Sequence, residues 1–215
     1  MGGLPLPKLG DPLKKVILLL AALCCAVLCF NSLAQNPSES VATNEISVLS
    51  GDSGTNISIM NATFTYSPGI SVAQTVKFTP PKPGWKLEHI LIMATDGWNA
   101  STKTNPTSLP FTIEIRDDKL DLVYHYADTQ LLYFTHPDLI TMADIEVPAM
   151  PMNGEFYVCF NGIGRIALMT ELQNATGSSY YYAKQVGGGQ LVPAELPLEN
   201  NSTLPVNWII RVGGQ

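Results

Sequence analysis

Residues 35–215 contain a single cysteine, Cys159, in the stretch EFYVCF. One thiol excludes an intramolecular disulfide there, so any fold must be held by a core, for which 181 residues are enough. Cys159 has no His or Lys beside it to activate a thiolate, and its apolar surroundings read as a strand with a small core residue. Basic residues are also scarce: 9 against 17 acids over the same span, a net charge of −8 with no clustered basic patch. That balance excludes nucleic acid as a partner and says nothing about fold. The three histidines, His89, His125 and His136, stand 36 and 11 residues apart, with no His-x-x-x-His pair and no cysteine partner, so zinc has no ligand set. After residue 35 no segment carries helical periodicity between caps.

The first 34 residues are of another kind. Lys8, Lys14 and Lys15 precede VILLLAALCCAVLCF (16–30), which has no charge, and Ser32 and Ala34 then offer a small-x-small cleavage site. This is the plan of a secretory signal. The rival is an uncleaved signal anchor: as a helix the 15 residues span ~22 Å, and 16–34 span ~28 Å, just enough for a bilayer. Either way the lysines stay cytoplasmic and the rest of the chain is expected outside the cell, secreted or held at the membrane. Cys24, Cys25 and Cys29 follow Leu, Cys and Leu respectively, which is not the small-residue context of a lipid-modified cysteine. N-x-S/T sequons at Asn56, Asn61, Asn99, Asn174 and Asn201 fit a glycosylated surface protein.

Residues 35–69 are rich in Ser, Asn, Thr and Gly and are expected to form a linker, with a first strand at Glu45 to Leu49. A single domain is expected over 70–215. SVAQTVKF alternates, PPKPG interrupts, and WKLEHILIMA turns continuously apolar, as in a strand that lies inside a sheet. FTIEIR places Phe111, Ile113 and Ile115 on one face, and with LDLVYHY across Asp117-Asp118-Lys119 it predicts a hairpin. EFYVCF, Asn161-Gly162-Ile163-Gly164 and RIALMTEL predict a second. SYYYA and VNWIIRV add strands. Eight to ten short strands give an all-β antiparallel β-sandwich, jelly-roll-like in topology, with an immunoglobulin-like sandwich as the alternative.

VKFTPPKPGWKLEHILIM, FTIEIRDDKLDLVYHYAD, GEFYVCFNGIGRIALMTE, SYYYA and NWIIRV in this order resemble the β-sandwich modules of exported prokaryotic, especially archaeal, surface proteins, over about residues 70–212. The resemblance implies an extracytoplasmic accessory or binding module and carries over no catalytic residue.

Gly51-Asp52-Ser53-Gly54 matches the tetrapeptide around the nucleophile of trypsin-like proteases. Such enzymes need His, Asp and Ser in that chain order, whereas all three histidines here follow Ser53. The stretch therefore reads as flexible turn chemistry. Asp117, Asp118 and Asp121 around one turn are candidate oxygen ligands for a structural calcium; no other cofactor is expected. Trp98, Tyr133, Phe134 and His136 are candidate rim residues for stacking on a glycan or anchoring a cell-surface protein. The reading is a non-enzymatic surface protein. A carbohydrate-binding module is one alternative; another is a carbohydrate-active or other hydrolase, using paired acids among Glu114, Asp144 and Glu146.

Overall fold

The computed structural model describes residues 46–59, 71–137, 139–185, 188–198 and 201–215. In chain order the strands are β1 (Ser47–Ser50), β2 (Ile57–Ile59), β3 (Ser71–Phe78), β4 (Lys86–Thr95), β5 (Pro110–Arg116), β6 (Leu122–Thr129), β7 (Met142–Pro151) and β8 (Phe156–Gly162). There follow β9 (Ala167–Glu171), β10 (Ser179–Gln185), β11 (Gly188–Pro193), β12 (Glu195–Pro197), β13 (Thr203–Pro205), β14 (Asn207–Trp208) and β15 (Ile210–Gly214). The only helical pieces among the described residues are single 3-10 turns at Ala100–Thr102 and Gln130–Leu132.

One sheet runs β1-β15-β4-β9-β14, with β7 also on β4 and β2 on β9; a second runs β11-β10-β3-β8-β5-β6; β12 and β13 pair alone. The apolar run of β4 is explained by its position: β15 lies on one side, β7 on the other. Alternation then builds one core from both sheets. Phe111, Ile113 and Ile115 of β5 and Phe156, Val158 and Phe160 of β8 join Leu87, Ile90 and Ile92 of β4 and Trp208, Ile210 and Val212 near the C-terminus. Burying each such side chain is worth about 1.5–3 kcal/mol. Trp85 closes one end, stacked on Phe156 at 6.1 Å and lying over Gly214, where any Cβ would collide with the Lys86 carbonyl.

The unbroken apolar run of β8 has its own cause. Its outward residues Tyr157 and Cys159 are also covered, by Tyr182, Ala73, Leu120 and Leu191. The Arg116 guanidinium sits 4.7 Å from the Tyr182 ring centre and donates to Glu114 and to the Leu120 carbonyl.

Three expectations need correction. The second hairpin does not form: β8 pairs with β3 and β5, while β9 pairs in the other sheet with β2, β4 and β14. A tight turn fixes a local reversal, not the sheet that receives the next strand. Of the linker expected over 35–69, residues 46–59 are described: β1 stands about where a first strand was expected at Glu45 to Leu49, and β2 was not expected. β1 pairs with β15 at the far end of the chain, a partner that local composition does not reveal. The strand segments also exceed the eight to ten expected; one of the added segments arises where the C-terminal run breaks at Ile209 into β14 and β15, which serve two neighbours.

The Gly51-Asp52-Ser53-Gly54 stretch is accordingly part of the body. Glu171, at the end of β9, is fully buried. Its carboxylate accepts from the Ser53 amide (3.0 Å) and hydroxyl, the Thr55 amide (3.2 Å) and hydroxyl (3.1 Å), and the Asn207 amide nitrogen (2.7 Å). Asp52 beside it forms a two-pronged pair with Arg211, at 2.6 and 3.1 Å. Burial pushes the Glu171 carboxyl up, but the hydrogen bonds from Ser53, Asn207 and Thr55 outweigh it and hold the group at about 2, against an ordinary 4.5.

A carboxyl depressed on folding stabilises the native state fully above its unfolded value and loses that contribution as pH falls from about 4.5 towards 2. Glu171→Ala is expected to remove this acid-range slope and, by leaving buried donors unpaired, to cost roughly 3 kcal/mol at neutral pH. Denaturant unfolding of the wild type and the variant at pH 7 and pH 3 measures both effects.

Candidate functional site

The strand registers define two poles. At one, Ser47 lies opposite Gly214, and the Lys86 amide donates to the carbonyl of Gln215 at 2.8 Å, so the entry to β1 and the last residue sit together. β4 runs ten residues away from that pole, about 33 Å at 3.3 Å per residue. At the far pole Thr95, Pro110, Thr129, Met142 and Gly162 end or begin their strands, and the loops between them converge.

Asp96 organises these loops. It is buried, and its carboxylate accepts from the Trp98 amide (2.8 Å), Gln130 Nε2 (3.1 Å) and the Thr135 hydroxyl (2.8 Å). Burial raises its pKa, yet the three hydrogen bonds, helped by Arg165, leave it below the usual carboxylate value. Gln130, itself fully buried, accepts from the Leu109 amide (2.6 Å) and donates to the Thr107 carbonyl (2.7 Å). Residues 96–109 and 130–135 are thus braced against each other by two side chains.

Three of the four rim candidates reach the surface on this frame. Trp98 is half-buried, its indole N–H donating to the Thr104 carbonyl at 3.0 Å. Tyr133 is half-buried, with its ring edge-on to Phe111 at 5.6 Å. Its hydroxyl joins that of Tyr126 (2.9 Å) at the carboxylate of Asp128, 3.1 and 2.9 Å away. Burial, then these bonds, drive the Tyr126 phenol far above its ordinary range, so it acts as a donor and not as a base. His136 is half-buried, with Nε2 shielded from solvent and without a partner. Phe134 must be withdrawn from the rim: it has no exposed surface and packs on Phe111 (5.0 Å) and Phe160 (5.6 Å) as core. Sequence alone missed Leu132 and Leu139, 86% and 74% exposed on the same segment. The pole offers ring faces, aliphatic side chains and a few donors, a set suited to stacking and apolar contact.

The other candidates lie elsewhere. Asp117 Oδ1 caps its own turn, accepting from the amides of Lys119 (3.0 Å) and Asp121 (2.8 Å), with Leu120 at φ 68° folded over the outer face. Asp117, Asp118 and Asp121 are not drawn into a ligand set; among the described residues no three His, Cys, Asp or Glu groups gather to hold a metal. Glu114 is tied to Arg116 on the outer face of one sheet, whereas Asp144, paired with His89 at 2.9 Å, and Glu146 face outward from the other, so these acids do not converge. Asn56, Asn99, Asn174 and Asn201 are exposed, the first and last two at positive φ; Asn61 lies outside the described residues. So does Asn200, which heads a further, overlapping sequon with Ser202.

No family model matches the chain, and no curated protein sequence is significantly similar to it.

Asp96→Ala is expected to cost roughly 2 kcal/mol by stranding buried donors. It should also speed amide exchange across 96–109 while leaving β3 and β8 protected. Hydrogen exchange read by mass spectrometry separates the two regions. Burial raises the Cys159 thiol to about 11, so its peptide is expected to stay unlabelled by a thiol reagent at pH 8 until denaturant is added.

Proposed function

We propose that this chain is an extracytoplasmic, non-enzymatic surface module, secreted or held by residues 16–34, that binds a glycan or a cell-surface protein through its loop pole. The sandwich is read as jelly-roll-like, because successive strands from β3 to β10 pass repeatedly between the two sheets and strands distant in sequence, β3 with β8 and β8 with β5, become neighbours. The observation that carries the binding reading is the Asp96–Gln130 brace. A rigid frame presenting Trp98, Tyr133, His136 and exposed leucines lowers the ordering cost of binding. The pole also lies at the far end of the sheets from Ser47, where β1 begins. Exposure of Asn56, Asn99, Asn174 and Asn201 is compatible with glycans there. Ser53 supports the non-enzymatic reading, since its hydroxyl donates to the Glu171 carboxylate and so serves the fold.

Screening the full chain on glycan arrays and by pulldown tests this function. Binding is expected to fall about tenfold or more on Trp98→Ala or Tyr133→Ala, with the circular dichroism spectrum retained. Binding that survives both substitutions would remove the loop pole as its basis. A mature N-terminus at Gln35 would exclude the anchor.

A further inference from the structure

The edges of the two sheets are treated unequally. Among the described residues, β7 carries Pro148 and Pro151; β11 ends in Pro193 and begins with two glycines; and β1, β2 and β14 have four, three and two residues. Prolines and short strands are the usual means by which an open row of backbone N–H and C=O groups is kept from pairing. β6 lacks both. It has eight residues, LVYHYADT, pairs among the described residues only with β5, and carries no proline, glycine or lysine. A bulge at its start, where Arg116 is matched to Leu122 after Ile115 to Tyr124, leaves Tyr124–Thr129 regular. Val123, His125 and Ala127 are exposed along it.

We propose that the free edge of β6 accepts an extended segment of a basic partner protein as an additional strand. Charge selects the occupant. Around the entry to β6 stand Asp117, Asp118 and Asp121 against Lys119, net −2, while Asp128 at the other end is taken up by the Tyr126 and Tyr133 hydroxyls. Asp118 and Asp121, both exposed, stand at the β6 entry. A second copy would bring the same acids to the same edge, whereas lysine or arginine would be attracted. The other end of the edge is different: β6 runs directly into Leu131 and Leu132, 39% and 86% exposed. Every strand pairing in the described sheets is antiparallel. An added antiparallel strand therefore begins beside Leu132 and ends beside Asp121, which specifies an apolar start, a β-branched middle and a basic end. Backbone pairing supplies the attraction, and the two ends fix direction. This surface shares Leu132 with the loop pole and touches Tyr133 through Tyr126 and Asp128, but not Trp98, so Trp98→Ala tests the pole alone and Asp118→Lys with Asp121→Lys tests the edge alone.

The probe is a fluorescent peptide, Leu-Val-Thr-Val-Thr-Val-Lys-Lys, titrated onto the full chain in a non-ionic detergent, with hydrogen exchange measured in parallel. Binding is expected to slow exchange across 122–129 and nowhere else. Affinity should weaken about tenfold when the peptide lysines become glutamates, or when Asp118→Lys and Asp121→Lys are combined. Leu132→Asp should weaken it as well, and methylating the peptide's valine nitrogens should abolish it; the circular dichroism of each protein variant reports its folding. Absence of binding, or binding indifferent to these charges or to N-methylation, overturns the proposal. So does protection of β6 that appears when the chain alone is concentrated, which would make a second copy the occupant.

Discussion

Much of the architecture depends on one buried carboxylate being fully satisfied. Glu171 sits where three segments remote in sequence meet: the end of β9, the start of β14 and the loop after β1. Alone, an ionised group at that depth would be prohibitive. With donors from Ser53, Thr55 and Asn207 it becomes a peg that locates the N-terminal strands against the C-terminal ones. The salt bridge from Asp52 to Arg211 adds a second point of attachment, so the strap 46–59 is registered and not merely laid on the sheet.

The loop pole repeats this solution with Asp96. In each case an acidic side chain accepts from loop backbone, the Trp98 amide for Asp96 and the Ser53 and Thr55 amides for Glu171, and from side chains on another segment. Such pegs do what a disulfide does in small disulfide-rich domains, holding irregular backbone in one conformation. They do so in residues 35–215, whose single thiol, Cys159, is sealed beneath Tyr182. The difference lies in sensitivity: a carboxylate peg answers to acid, a disulfide to reductant.

What could be read from the sequence was whatever repeats locally. Phe111, Ile113 and Ile115 announced their strand and face, and the first hairpin followed from the turn at Asp117-Asp118-Lys119. The all-β class and the core position of Cys159 were legible for the same reason. Contacts across long separations were not. Nothing around Ser53 points to Glu171, 118 residues away, so an ordered stretch at 51–54 looked like a flexible turn. Nothing in the Asn161-Gly162 turn says that the next strand crosses to the other sheet. In the site region, adjacent aromatics outside any regular strand gave no periodicity to sort Tyr133, at the surface, from Phe134, in the core. The brace from Gln130 was invisible because a lone glutamine has no pattern.

The shared pole of Ser47 and Gln215 bears on how the body carries load. Held from the N-terminal side and pulled at its loops, the molecule is stretched along its strand axes. Force then reaches β1 parallel to β15, across the four pairings from Ser47 with Gly214 to Ser50 with Arg211. Hydrogen bonds lying crosswise to a pull share it and must yield together, whereas a perpendicular tug would unzip them singly. Just past Ser50, Asp52 grips Arg211 of the same strand, so the ion pair is strained in concert with those rungs and adds a latch where slippage would otherwise begin.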